Sequence, residues 1–111
     1  MGEGQTSLIA MATYSFRIYV VANRPSSRVA LANLRALCDE VVPGDYELEV
    51  VDVLHEPDRA EVARIMVTPT VVKLAPLPRR RVIGDLSDRD EAAIALDLSY
   101  VGQGTDQGGP Q

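Results

Sequence analysis

Enzymes that work through a nucleophile hold it beside a group able to activate it, and this sequence of 111 residues is sparing with both. It carries one cysteine, Cys38, and one histidine, His55. A single thiol excludes an internal disulfide and a multi-cysteine metal site, and a single imidazole excludes a histidine-based metal cluster. Dithiol oxidoreductases place Cys-x-x-Cys just after a strand, where a helix N-terminus lowers the thiol pKa. The matching stretch here reads Asn23-Arg24-Pro25-Ser26-Ser27. Cys38 falls late in a helical pattern, on its apolar stripe, and reads as a small core residue. His55 and Glu56 precede Pro57 in a loop, with no nucleophile nearby in sequence. Asp52 is a lone carboxylate at a strand end, suited to orienting loop backbone. With no phosphate-cradling glycine loop either, the residues describe a non-catalytic domain without a cofactor.

Charge points the same way. A formal net charge of −5 argues against a general nucleic-acid or membrane-surface binder. No stretch approaches the roughly 20 apolar residues that cross a bilayer, and the N-terminus lacks a basic n-region, so a cytoplasmic protein is expected. The exception to the acidic balance is Arg79-Arg80-Arg81, with Lys73 on the preceding apolar run. Two readings of this basic island stand side by side. It can be a solvated edge hairpin, because charges and prolines keep sheet edges from aggregating. It can equally be a docking surface for an acidic patch on a protein partner.

The elements that must position these residues follow from periodicity. Tyr14, Phe16, Ile18 and Val20 alternate with Ser15, Arg17 and Tyr19, which predicts a strand with one better-buried face. Ser26 or Ser27 caps a helix over residues 28–41, with Ala30, Leu31, Leu34, Cys38 and Val41 as its buried stripe. Pro43-Gly44 ends it, and residues 46–54 form a second strand. Strand, helix and strand with short links make a βαβ unit with parallel strands. Pro57 then opens a helix over residues 58–66, with Val62 and Ile65 as its apolar positions. Residues 70–74 and 79–83 form an antiparallel pair around the turn "APLP". Gly84-Asp85 turns the chain into a last helix capped by Ser87, with Asp88, Asp90 and Glu91 favourable at its N-terminus. Residues 94–100, "IALDLSY", fit both a period-two strand and a helix; the cap and Ala95 lean towards helix. The sum is an α/β domain of order β-α-β-α-β-β-α, the thioredoxin-like order, over residues 13–101. Residues 1–12 are expected to be a flexible extension and residues 102–111 a flexible glycine-rich tail. In this order Thr68-Pro69 enters the third strand, and Pro69 is expected to be cis.

The pieces "YVVANRPSS", "ELEVVDVLHEP", "VTPTVVKLAPLPRRRVIGDLSDR" and "IALDLSY" resemble the KaiB family of circadian clock proteins, from Tyr14 to Tyr100 without insertion or deletion. That resemblance implies a non-enzymatic regulator which binds the ring ATPase KaiC and opposes its phosphorylated state. It also implies two folds. A resting form of order β-α-β-β-α-α-β assembles as dimers or tetramers, and a monomeric thioredoxin-like form binds the ring. The first βαβ unit is common to both, and residues from about 55 to 101 change fold. The partner-binding positions that carry over are Lys73, Arg80 and Arg81 with Thr70 nearby, and Arg28 on the first helix. Those that bear on the switch are Pro69, Ala95, Asp97 and Tyr100.

Several positions depart from the family's pattern. Arg28-Val29 reverses its usual Val-Arg, which displaces a basic contact by one residue. Ala22 replaces a glycine before Asn23. Glu49 stands where well-studied members carry a lysine on the second strand, a charge reversal that argues against a KaiA-type partner. Ala95 replaces a glycine in the switching segment, and alanine for glycine in a helix is worth about 1 kcal/mol towards the helix. Two other readings use the same fold differently: a stress or redox protein, which needs a reactive Cys38, and an adaptor for a signalling kinase.

Overall fold

The computed structural model describes residues 12–98 and is organised around its first strand. β1 (Tyr14–Val20) pairs in parallel with β2 (Tyr46–Asp52) and antiparallel with β3 (Thr70–Ala75). β4 (Arg80–Ile83) completes the sheet in the order β2-β1-β3-β4. The helices are α1 (Pro25–Val41), α2 (Pro57–Val62) and α3 (Arg89–Ala95). The expected element order therefore stands, and Thr68–Pro69 is cis as expected. Expectations for residues 1–11 and 99–111, Tyr100 included, lie outside the described residues.

α1 starts earlier than a serine cap would place it. Arg24 is the N-cap without a side-chain bond, and Pro25 takes the first turn, where a missing N–H costs nothing. Ser27 is buried instead, its Oγ accepting from the Val21 N–H at 3.1 Å and so tying the helix to the end of β1. The buried stripe is Ala30, Leu34, Leu37, Cys38 and Val41, with Leu31 half-buried at its margin. Leu37 joins it, fully buried in the main core.

β1 is central, and both its faces are covered. Phe16, Ile18 and Val20 enter the main core with α1, Val71, Leu86, Ala92 and Leu96. Tyr19, which alternation assigned to the polar face, is buried with Val51 and Val72 in a second, smaller core. Ala63 and Ile65 cover that second core. α2 is shorter than expected: it ends at Val62, and Arg64 takes a left-handed φ of 58° to turn the chain towards β3. Val62, read as apolar packing, is 84% exposed.

α3 is capped by Asp88 and not Ser87, the Asp88 Oδ1 accepting from the Glu91 N–H at 3.0 Å. The Ser87 N–H donates instead to Asp85 Oδ1 in the preceding turn. The helix takes in only the first two residues of the ambiguous segment. Asp97 turns left-handed at φ 60°, and the Leu98 N–H donates to the Ala93 carbonyl at 2.8 Å. Leu96 and Leu98 are thereby buried, while Ile94 is 79% exposed.

Ala95 is the last helical residue and is exposed, so its contribution is backbone propensity and little packing. Ala95→Gly is expected to lower the unfolding free energy by up to about 1 kcal/mol. Urea denaturation measures this, and an unchanged midpoint would mean that Leu96 and Leu98 alone fix the helix end.

Candidate interaction surface

Pleat and register decide which charged side chains reach the surface. On β3, Val71 and Lys73 face the main core, because they sit opposite Ile18 and Phe16. Lys73 is accordingly 1% exposed, with its Nζ 4.0 Å from Asp97 Oδ2. Thr70 is buried too, and its Oγ1 donates to the Val67 carbonyl at 2.7 Å. Neither lies on an open docking edge. This corrects their expected placement, and the physical reason is that β3 is covered on both faces.

The arginines of the basic island divide. Arg81 sits opposite Val72 and so points to the α2 side of the sheet. Its guanidinium donates to the carbonyls of Ala63 at 2.7 Å and Arg64 at 3.1 Å, capping the end of α2. Arg80, opposite Lys73, remains exposed with its charge outward. Arg28 is exposed in the first turns of α1, with a 3.5 Å contact to the Asn23 carbonyl. Of the expected docking residues, Arg80, Arg81 and Arg28 are thus surface charges, Arg81 with its guanidinium bonded to the end of α2, whereas Lys73 and Thr70 are buried. Pro69 is buried at the strand entry, and its carbonyl accepts from the Gly84 N–H at 2.9 Å.

An ion-pair network on the α2 side escaped the sequence reading. Glu49 on β2 accepts from Arg17 Nε at 2.8 Å and from Arg59 Nη1 at 2.7 Å, and Arg59 also reaches Glu56 at 3.2 Å. The hydrogen bonds from Arg59 and then Arg17 hold the Glu49 carboxyl down at about 2. Only the Glu56–Arg59 spacing was visible in sequence; Arg17 meets Glu49 through the parallel register. Asp52 orients loop backbone as expected, its Oδ1 accepting from the Leu54 N–H at 2.9 Å.

The site offers little for covalent chemistry. Cys38 is fully buried, and that burial, reinforced by Asp39, pushes its thiol up to about 12. Among the described residues no group of three or more His, Cys, Asp or Glu side chains could hold a metal ion. No described helix is long and apolar enough to cross a membrane.

Comparison with known proteins locates this geometry. The KaiB domain family matches residues 17–98. The circadian clock oscillator protein KaiB of Synechococcus elongatus is 48% identical over 88 residues, covering 79% of this chain and 86% of the relative. The protein of the same description from Prochlorococcus marinus is 44% identical over 93 residues, covering 84% and 87%. Among solved structures, the N-terminal domain of Synechococcus elongatus SasA aligns with a TM-score of 0.62 at 26% identity, covering 76% of this chain and 83% of that one. Chloroplastic thioredoxin z aligns with a TM-score of 0.64 at 18% identity, covering 85% of each, a likeness of fold alone.

Two outcomes are expected. Glu49 has a folded-state pKa depressed from 4.5, so its stabilisation is present above pH 4.5 and fades as pH falls towards about 2. Glu49→Gln should therefore destabilise the protein at pH 7 and converge with the parent near pH 2 in urea melts. Native Cys38 should resist a maleimide at pH 8 and react only on unfolding; rapid native labelling would revive a redox role.

Proposed function

This chain belongs to the KaiB family, and from that premise we propose that it is a clock or timer regulator which binds a KaiC-type ring ATPase and opposes its phosphorylated state. The observation that carries the reading is the match over residues 17–98, which runs from within β1 through the end of α3. The protein acts by binding and not by catalysis. Its outward charges at Arg80 and Arg28 suit an acidic face on the ring, and a binder of this kind works in the cytoplasm. Glu49, clamped by Arg17 and Arg59, leaves no free cation on that part of β2, which argues against a KaiA-type partner.

The reading includes a change of fold over residues from about 55 to 101, to a self-associating β-α-β-β-α-α-β resting form. Two features of the thioredoxin-like arrangement support it. The non-glycine residues with left-handed φ among those described, Arg64, Leu86 and Asp97, all fall in this half. So do six of the nine large apolar side chains left exposed among the described residues, Val62, Met66, Val67, Leu77, Ile83 and Ile94, with Val29, Val50 and Leu54 outside it. A second packing that buried them in a dimer or tetramer would recover apolar free energy.

Size-exclusion chromatography tests the reading: the purified protein should run as an oligomer alone and co-elute with a KaiC-type ring in ATP. Arg80→Glu should weaken ring binding at least tenfold. Co-elution at unchanged affinity would move the docking surface elsewhere, and no co-elution of the parent chain would overturn the partner.

A further inference from the structure

β4 closes the sheet on the side of β3, and no described strand pairs with its outer edge. Its residues alternate between facing β3 and facing away. The Gly84 N–H donates to the Pro69 carbonyl, so Val82 and Arg80 also turn their backbone groups to β3. The N–H and C=O groups of Arg81 and Ile83 therefore point outward. Ile83 is 62% exposed, and Leu77, on the hairpin tip that leads into the strand, is 78% exposed. Charge along this edge has two ends. The strand is entered through Arg79 and Arg80, both exposed, and leads out to Asp85, Asp88 and Glu91. Those three carboxylates rim a trough of about 300 Å3 between β4 and α3, with Val82, Leu86 and Ala92 as apolar wall and no basic residue in its lining.

We propose that this edge pairs with the same edge of a second copy of the chain, antiparallel about a two-fold axis at Val82. Such an interface must be self-complementary, and this edge is. The axis sets Arg81 of one copy opposite Ile83 of the other, so their outward N–H and C=O groups exchange hydrogen bonds on both sides of Val82. It also sets Arg79 opposite Asp85 and brings Leu77 on the hairpin tip to the acidic trough. No arginine stands directly opposite an arginine, so charges that guard an edge against other strands favour this one. An axis at Arg81 would set that residue against itself. An axis at Ile83 would offer Asp85 only Arg81, whose guanidinium already bonds the Ala63 and Arg64 carbonyls. An unrelated acidic strand would suit the arginines but not the trough, and a basic strand the reverse. The pairing departs from the monomer that the family resemblance implies for this arrangement. It is independent of the ATPase reading, because no ring enters its test.

Sedimentation equilibrium and amide NMR on the full chain, from micromolar to millimolar concentration, test it. A dimer is expected, with concentration-dependent shifts at residues 77–88 and strand shifts kept over residues 70–75 and 80–83. Arg79→Glu and Glu91→Lys should each weaken it at least tenfold, and an equimolar mixture of the two variants should restore association. Both side chains are exposed, so both variants should fold. A monomer at millimolar concentration, a mixture no tighter than the separate variants, or shifts centred on another surface would each overturn the proposal. So would association without strand shifts at β3 and β4, which would assign it to the proposed resting form.

Discussion

The antiparallel register of β1 on β3 is the constraint on which the rest of the molecule depends. Setting Phe16 opposite Lys73, Ile18 opposite Val71 and Tyr19 opposite Thr70 assigns a face to every side chain of β3. One consequence is a lysine in the main core. Removing an ammonium from water is costly unless an opposite charge stays close, and the carboxylate that does so is Asp97. Asp97 holds that position within the left-handed turn by which the chain leaves α3. The buried charge and the C-terminal turn therefore depend on each other, although one belongs to the sheet and the other to the last helix.

The same register sets polar fastenings beside the apolar packing of the second half. Arg81 is carried on β4 to the α2 side, where it caps the helix that precedes β3. Thr70 fixes the segment entering β3, and Asn33 on α1 donates to the Asp85 carbonyl at 2.7 Å, holding the turn before α3. Each bond contributes modestly, about 1 kcal/mol net for a typical hydrogen bond. Apolar packing is concentrated in β1, α1 and the inward residues of β3 and α3. α2 buries none of its own residues and depends on Arg59 and Arg81 for attachment.

Much of this was legible in the sequence, because the deciding signals were local. Alternation in β1, the apolar stripe of α1 and the turn residues at Pro43-Gly44 and Gly84-Asp85 gave the element order without tertiary information. The misplacements share one cause. Tyr19, Leu37 and Lys73 are buried by elements distant in sequence, and periodicity sees only one covering layer. Ser27 and Ser87 look like caps, yet Pro25 and Asp88 offer better local chemistry for starting a helix. Of the candidate site, the sequence revealed the basic composition but not its division into free and internally bonded charges. Neighbouring residues of a strand point to opposite faces, so the separation of Arg80 from Arg81 was available once β4 had been recognised.

That division bears on how binding and folding are coupled. Had Lys73, Arg80 and Arg81 all been free of internal contacts, a partner could recruit them in any arrangement that kept the residues close. With Lys73 paired to Asp97 and Arg81 bonded to the end of α2, Arg80 is the arginine of β4 left without such a contact among the described residues of the thioredoxin-like arrangement. In the proposed resting fold, β3, β4 and α3 are replaced, so these contacts have no counterpart and the arginines lose their assigned faces. A ring that reads Arg80 in one orientation then binds one arrangement better than the other, and differential affinity is what shifts a population. Under the proposed function, the internal pairs of the basic island would thus contribute to selectivity without touching the partner.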